Sequence, residues 1–245
     1  MDLPGRAPSA LLTALLDQLR ADARRLAELV DIGPLDAPVP SCPGWDLGAL
    51  IGHVGGVHRW ALHSIREGAP PSTRPRAEAP DGPNGVRLGA WIVQGADELA
   101  DTLARTSPDA PALNPFGAEP VAAFWVRRQA HETMVHRHDA ELAIGSLTAL
   151  PAELASDAID EVFEVLVPAR LAVPDAPVPL GSLHVHCTDV AGEWLVRLTD
   201  EGYEMQREHL KGDAALRGPA ASLLLHLWGR RHGLPPGVDP IETIG

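Results

Sequence analysis

The chain has 245 residues, of which 33 are acidic and 20 are lysine or arginine, so its formal net charge is −13. This excess of negative charge disfavours phosphate backbones and anionic membrane surfaces, and we expect neither nucleic acid nor a membrane as a partner. Two cysteines, Cys42 and Cys187, are too few for a disulfide framework, and no apolar run reaches the roughly 20 residues of a membrane helix, so we expect a cytoplasmic protein.

Helical spacing of apolar residues characterises the N-terminal part of the chain. A first helix is predicted over 9–31, with Ser9 as its N-cap, and a second begins after Asp46. His53 shares the core side of this second helix, whose other inward residues are predicted to be Leu47, Leu50, Ile51, Val54, Val57 and Ala61. Glycines in a helix interior each lower helix propensity by about 1 kcal/mol. Another helix or a ligand is therefore expected to lie close to the three glycines of this helix, Gly52, Gly55 and Gly56.

Two more helices are predicted at about 86–105 and at 124–145, and irregular segments at 68–84 and 106–119 precede them. Four long helices with two long connections indicate a four-helix bundle. The 68–84 segment is rich in Pro and Gly, and both a lid and a simple connector are compatible with that composition.

The pattern changes after Pro151. One helix is predicted at about 152–167, and alternating apolar and polar residues separated by turn formers then predict strands at 183–188, 194–199 and 203–208. A last helix is predicted at 219–232. The sequence therefore predicts an α+β protein, with a helical bundle over 1–150 and a smaller α+β domain over 151–245.

Glu132 and His136 lie four residues apart on the fourth helix and so share one of its faces. Both project toward the core side, because the apolar stripe of this helix is predicted to contain Val121, Trp125 or Phe124, Val135 and Leu142. Burying a carboxylate and an imidazole is costly unless they are paired or bound to a metal. With His53 they make a set of two histidines and one glutamate. Three protein ligands with one open position are typical of a catalytic zinc site.

The same residues allow a second interpretation. A core-facing histidine is often a hydrogen-bonded structural residue, and Glu132 could form a simple intrahelical ion pair with Arg128. In the metal interpretation, Arg128 orients the carboxylate and Asp139 orients an imidazole. His131 and Glu132 match the start of the zincin motif, but Val135 stands where its second histidine should be, which excludes that motif.

Two segments, SCPGWDLGALIGHVGGVHRWA and RRQAHETMVHRHDAELAIG, resemble the actinobacterial, mycothiol-dependent maleylpyruvate isomerase family. Its N-terminal domain belongs to the DinB-like metalloproteins. The resemblance covers essentially the whole chain, with a weaker match in DAALRGPAASLLLHLWGR. It implies a DinB-like four-helix bundle that binds a divalent metal ion, usually zinc, through His53, Glu132 and His136. It also implies mycothiol as the thiol cosubstrate.

The implied chemistry is attack of a mycothiol thiolate on an electrophilic small molecule, either in a cis–trans isomerase of the maleylpyruvate type or in an S-transferase. An acidic protein must hold such an anionic substrate with local arginines. Arg128, Arg230 and Asp139 are the predicted catalytic residues, and Arg59 and Trp60 are predicted to bind the cofactor. For Arg230, an ordinary role at a helix C-terminus is the alternative.

Other functions remain compatible with the sequence. Metal-bound water could hydrolyse a small amide or a thiol conjugate, or the protein could be a non-catalytic metal-containing binding or regulatory protein. Imidazole and carboxylate ligands suit nickel and iron as well as zinc. The chain is expected to be a monomer or a small homo-oligomer.

Overall fold

The computed structural model of the protein describes residues 9–68, 85–174, 180–230 and 242–244. The chain divides into two units, residues 1–146 and 147–245. In the described ranges, the first unit is helical and the second combines helices with a five-stranded sheet, so the predicted α+β class is confirmed. No helix in these ranges is both long enough and apolar enough to cross a lipid bilayer. The predicted 68–84 connection lies, after Gly68, outside the described residues.

The helices of the first unit form a four-helix bundle. They are α1 (Ser9–Ile32), α2 (Leu47–Glu67), α3 (Gly85–Arg105) and α4 (Ala122–Ile144). Both α1 and α2 pack mainly against α3 and α4, so α1 and α2 occupy opposite corners of the bundle. Buried aliphatic side chains from all four helices build a shared core, among them Leu26, Leu50, Ile92 and Ala140. This arrangement places α2 alongside α4.

The start and the middle of α2 follow from its sequence. Asp46 caps the helix as predicted, since its Oδ1 accepts a hydrogen bond from the backbone N–H of Ala49 at 2.7 Å. At Gly55, an added Cβ would lie 2.2 Å from Cζ3 of Trp91 on α3. No side chain fits in that space, so this glycine allows α3 to approach α2 closely. The glycines of α2 predict that another helix or a ligand lies close to them, and at Gly55 the neighbour is helix α3.

Helix α4 is enclosed on nearly every side, which differs from the predicted single apolar stripe. Of its 23 residues, 17 are buried, whereas Leu142, expected in the stripe, is only partly buried. Buried charges on α4 are paired: Nε of Arg137 lies 2.7 Å from Oδ1 of Asp22 on α1, and its Nη1 donates to Glu141 at 2.8 Å. Pairing of this kind reduces the cost of burying charged groups.

The helical part of the second unit is longer than predicted. Where one helix is expected at 152–167, the chain forms α5 (Ala152–Glu161), a π-helical turn (Val162–Leu166) and α6 (Val167–Leu171) in direct succession. Pro168 lies in the first turn of α6. A proline has no N–H, so a continuous α-helix would lack one backbone hydrogen bond at this position. The change to π-helical geometry just before the proline avoids that loss.

The sheet of the second unit has the strand order β3-β2-β1-β4-β5. Its strands are β1 (Gly181–Cys187), β2 (Glu193–Thr199), β3 (Gly202–Gln206), β4 (Ala214–Gly218) and β5 (Glu242–Ile244). The pairing of β1 with β4 is parallel and the other pairings are antiparallel. The first three strands match the predicted ones, but the sequence does not predict β4 or β5.

Helix α7 (Ala220–Leu227) is shorter than the predicted 219–232 helix. Its end is explained by Gly229, whose φ of 76° is a left-handed conformation that stops the helix.

One face of the sheet packs on the helices. Val185 and Cys187 of β1 are buried, and Nε1 of Trp194 on β2 donates to Asp160 of α5 at 2.7 Å. Side chains alternate along a strand. His184 and His186 of β1 therefore lie on the face opposite to Val185 and Cys187.

Candidate metal centre

Helices α2 and α4 bring the three predicted ligands together. Nε2 of His53 and Nε2 of His136 each lie 3.2 Å from the same oxygen, Oε1 of Glu132. The two imidazole rings are 5.4 Å apart between centroids and almost perpendicular. The ligand atoms of all three side chains lie within 4.8 Å of one another. They converge on one point between the helices.

This donor set fits a divalent metal ion. Ligands held about 2.0–2.1 Å from Zn²⁺ in a tetrahedral array lie about 3.3 Å from each other. The two observed separations of 3.2 Å therefore need little adjustment. The side chain of His53 is 31% exposed, against 15% for Glu132 and 8% for His136. The set is thus most accessible on its His53 side.

Asp139 fixes the orientation of His136. It is fully buried, and its Oδ2 lies 2.9 Å from Nδ1 of His136. Its other oxygen accepts a hydrogen bond from Ser41 at 2.6 Å, and Sγ of Cys42 is 3.5 Å from Oδ2. Cys42, His136 and Asp139 are also close enough to hold a metal ion. Since both oxygens of Asp139 already have partners, this group is better suited to orienting the imidazole.

Electrostatics keep the carboxylate of this site ionised. Burial alone favours the neutral acid, but His136 and Arg128 hold the pKa of Glu132 well below its usual range. Burial also opposes a charge on the imidazole, yet Glu132 and Asp139 hold the pKa of His136 well above its usual range. Arg128 is only 3% exposed and donates to Oε2 of Glu132 at 2.6 Å. The contact places Arg128 where it orients the carboxylate.

The chain matches two family models. One, described as the mycothiol maleylpyruvate isomerase N-terminal domain, covers residues 16–141, and the other, described as the MDMPI C-terminal domain, covers residues 153–240. The chain belongs to the mycothiol maleylpyruvate isomerase family. The resemblance found in the sequence is thereby confirmed.

Two crystal structures are similar to this family member, one of mycothiol-dependent maleylpyruvate isomerase and one of a histidine-to-alanine mutant of that enzyme. Each is 14% identical, with a TM-score of 0.55, and the alignment covers 99% of this chain and 95% of the other. At this identity the similarity establishes the shared fold. No curated protein sequence matches the chain significantly.

In this maleylpyruvate isomerase family member, Arg59 and Trp60 make contacts within the bundle. Arg59 donates to the carbonyl oxygens of Gly55 at 3.0 Å and of Trp91 at 2.8 Å, and its Cζ lies 3.9 Å from the Trp91 ring centroid. Trp60 packs edge-on against Trp125, with 5.4 Å between ring centroids. These contacts do not involve the three candidate ligands. Cofactor binding by these two residues stays a prediction.

Arg230 belongs to the second unit of this family member and follows α7. Its Nη1 donates to the carbonyl oxygen of Trp228 at 2.7 Å, and its Cζ lies 5.5 Å from the ring of the same tryptophan. The contact curls the arginine back onto the end of its own helix. Its predicted catalytic role also stays a prediction.

The sequence predicts no chemical role for several residues around the site, and it predicts only an edge or packing role for His58. Val57, expected to point inward, is only partly buried, and His58 takes the core position instead. Nε2 of His58 lies 2.8 Å from Oγ1 of Thr133, which itself donates to the carbonyl of Gln129 at 2.7 Å. Since the hydroxyl hydrogen is used there, the imidazole must be the donor to Thr133. Burial, reinforced by the charge of Arg59, lowers the pKa of His58 to about 3.

The turn before α2 also contacts the site. Ser41 and Cys42 reach Asp139, and the ring of Trp45 lies 4.9 Å from that of His53 in an edge-on contact. All three residues lie in the first segment that carries the family resemblance. No spacing rule assigns them to the site, because the contacts depend on how the turn packs on α4.

Proposed function

We propose that the protein is a mycothiol-dependent cis–trans isomerase of the maleylpyruvate type that uses a divalent metal ion, Zn²⁺ above all, bound by His53, Glu132 and His136. The observation that carries the proposal is the convergence of two imidazole nitrogens, each at 3.2 Å, on one carboxylate oxygen. Family membership adds the thiol and the reaction class. A metal ion held by these residues would supply the Lewis acidity that favours the thiolate form of a thiol near neutral pH.

The isomerisation needs a thiol only as a catalyst. A thiolate adds to one carbon of the activated cis double bond, and the displaced electron pair moves onto the conjugated carbonyl oxygen as an enolate. Rotation about the new single bond follows. The enolate then re-forms the double bond in the trans geometry and expels the thiolate. No oxidant and no net proton are consumed, and the thiol is recovered.

The residues of this chain set the geometry for that reaction. Asp139 accepts the Nδ1 hydrogen of His136, which leaves Nε2 of this imidazole directed toward the ligand set. Arg128 donates a hydrogen bond to Oε2 of Glu132 at 2.6 Å, which leaves Oε1 of this carboxylate directed toward the two imidazoles. The greater exposure of His53 provides the side from which small molecules enter.

A direct test measures isomerisation of maleylpyruvate by the metal-loaded protein, with and without mycothiol. We expect turnover that requires mycothiol and returns it unchanged, whereas an S-transferase would consume the thiol. Replacing His136 with Ala or Glu132 with Gln should remove both turnover and one equivalent of metal, as measured by elemental analysis. His63→Ala, which changes a partly buried histidine elsewhere on α2, is the matched control and should keep both.

Other results would contradict the proposal. Hydrolysis that proceeds without thiol would favour the metal-bound water alternative, and tight ligand binding without turnover would favour a binding protein. Full metal content in a folded His136→Ala variant would exclude the assigned ligand set. Circular dichroism of each variant separates loss of metal from loss of fold.

A further inference from the structure

A second group of metal-ligating side chains belongs to the sheet of the second unit. His184 and His186 come from β1, Glu193 from the start of β2, and His209 from the segment after β3. The ligand atoms of these four side chains all lie within 4.8 Å of one another. None of the four belongs to the site described above.

All three imidazoles contact a single carboxylate oxygen. Oε1 of Glu193 lies 2.9 Å from Nε2 of His184 and 2.8 Å from Nδ1 of His186, and Nδ1 of His209 contacts the same atom. Centroid separations between the three rings run from 5.1 to 6.1 Å. One carboxylate oxygen has two lone pairs. Two lone pairs cannot accept hydrogen bonds from three nitrogens, so hydrogen bonding alone does not explain this arrangement. The convergence matches that expected of metal ligands.

Backbone pairing fixes three of these four ligands. Residues two apart on a strand share a face, so His184 and His186 project to the same side of β1. His186 and Glu193 are direct cross-strand partners in the β1–β2 pairing, so the carboxylate projects from the same face of the sheet as both imidazoles. His209, whose side chain is 77% exposed, approaches from outside the strands. The other three side chains are 12 to 34% exposed.

We propose that His184, His186, Glu193 and His209 form a second divalent transition-metal site, with Zn²⁺ as its expected ion. Three imidazole nitrogens and one carboxylate oxygen suit zinc, and tetrahedral zinc ligands lie about 3.3 Å apart. The observed 2.8 and 2.9 Å separations need only a small outward movement to admit the ion. A depression of about 340 Å³ that borders His184 and His209 gives solvent access to the ligands.

This site has a structural character. Four protein ligands complete a tetrahedral shell and leave no position for a substrate, as in structural zinc sites. A bound ion would join β1, β2 and the segment that carries His209. Because an ion that binds only the folded form stabilises it, zinc should raise the melting temperature of the second unit.

The test uses the full chain after removal of metal. Wild-type protein should take up two equivalents of Zn²⁺ in a calorimetric titration near neutral pH. The His136→Ala variant should retain one equivalent, because the second site is intact. Combining His136→Ala with His186→Ala or with Glu193→Gln should lower the zinc affinity of this remaining site. The decrease should be greater than the roughly 10–100-fold that loss of a residue supporting a metal ligand costs.

Cobalt provides an independent readout. Co²⁺ bound to the His136→Ala variant should show the intense visible absorption of a tetrahedral complex, and Glu193→Gln in that background should abolish it. His226→Ala, a histidine of α7 outside the cluster, is the matched control and should leave the spectrum unchanged. If the His186→Ala variant fails to fold, the more conservative Glu193→Gln variant still tests the site.

Two outcomes would overturn the proposal. One is a folded His136→Ala protein that binds no Zn²⁺ at micromolar concentrations. The other is a His136→Ala protein that still binds one equivalent of Zn²⁺, with its zinc affinity and its cobalt spectrum unchanged when His186 and Glu193 are also replaced. In either case the cluster is a hydrogen-bonded group without a metal.

Discussion

A single buried carboxylate determines which nitrogen of His136 faces the candidate ligands. Asp139 accepts the Nδ1 hydrogen, so Nε2 is left to bind a metal ion. In Asp139→Asn the amide can instead donate to Nδ1, which would move the hydrogen to Nε2 and block it. We expect zinc affinity at this site to fall about 10–100-fold. Competition with a chromogenic chelator measures this change.

Ser41→Ala is the matched control for Asp139→Asn. It removes the hydroxyl that donates to Oδ1 at 2.6 Å and leaves the contact between Oδ2 and His136 in place. We expect a smaller loss of affinity than in Asp139→Asn. An Asp139→Asn protein that binds zinc as tightly as the wild type would show that the carboxylate does not orient the imidazole.

His58 links the stability of the first unit to pH. Its pKa is lowered from 6.5 to about 3 in the folded protein, so below pH 6.5 the unfolded chain binds a proton that the folded chain does not. The stability that neutral His58 contributes is complete above pH 6.5 and is lost as the pH falls toward 3. Because of this group, we expect the unfolding free energy to decrease by about 1.4 kcal/mol for each unit by which the pH falls in that window.

Urea unfolding of wild type and His58→Gln across this pH range isolates the effect. Glutamine can still donate to Thr133 but does not titrate, so the variant should lose less stability on acidification than the wild type. Equal slopes for the two proteins would mean that His58 is protonated without penalty in the folded state.

The sequence predicts part of the candidate site and misses the rest for a physical reason. Helical spacing places Glu132 and His136 on one face, and the core side of α2 presents His53, so these three can be named from the sequence alone. The contact of Ser41 with α4 joins residues 98 positions apart, and the contact of Thr133 with α2 joins residues 75 positions apart. Such contacts depend on the register between packed elements, which no local pattern encodes.

At the level of elements, α1 and α4 are joined by buried charges. Arg137 is 3% exposed and lies between two carboxylates, those of Asp22 and Glu141, which are also buried. Burial is the main cause that raises the pKa of Asp22 to about 6, although the charge of Arg137 opposes it. We expect Arg137→Met to lower the unfolding free energy by about 3–5 kcal/mol, because it leaves buried carboxylates without their shared partner.

Denaturant titration of Arg137→Met tests this expectation. Arg24→Met is the control, since Arg24 on α1 is 57% exposed and pairs with Asp97 at 3.4 Å. An exposed pair contributes about 0–1 kcal/mol, so this variant should stay close to the wild type. A loss below about 1 kcal/mol in Arg137→Met would show that the network is readily replaced by apolar packing.

The elements of the second unit show where sequence patterns stop being informative. Strands β1 to β3 are neighbours along the chain, with alternating side chains and turn residues between them, and their prediction needs only local signals. Strand β4 reads AALRG, with no β-branched or aromatic residue, and it pairs with β1 across the whole β2–β3 hairpin. Its strand conformation comes from tertiary pairing rather than from propensity.

The histidine cluster of the second unit did have a sequence signal. His184 and His186 are separated by one residue inside a predicted strand, and this spacing puts both imidazoles on one face. The cross-strand position of Glu193 and the return of His209 require the observed register. Histidines two apart in a predicted strand are therefore worth testing for metal binding.

For the whole molecule, the net charge of −13 opposes the approach of an anionic substrate. If the proposed function holds, salt should weaken this repulsion, since the Debye length falls from about 30 Å at 0.01 M to about 8 Å at 0.15 M ionic strength. We expect kcat/KM for maleylpyruvate to rise about two- to fivefold over this range, well below the 10–10³-fold effect of focused attraction.

Steady-state kinetics over a salt series provide the measurement. The dimethyl ester of the substrate lacks the two charges and serves as the matched probe, with kcat/KM expected to change little. A decrease of kcat/KM for the diacid with salt would mean that arginines at the site create a local positive field stronger than the repulsion from the rest of the surface.

The enclosure of α4 has a consequence for engineering new specificity. Nearly every position of this helix touches another part of the protein, so a library that randomises it would consist largely of molecules that do not fold. The turn from Ser41 to Trp45 is less enclosed and still borders the ligands. Variation directed to that turn offers a route to altered substrates at a lower risk to the scaffold.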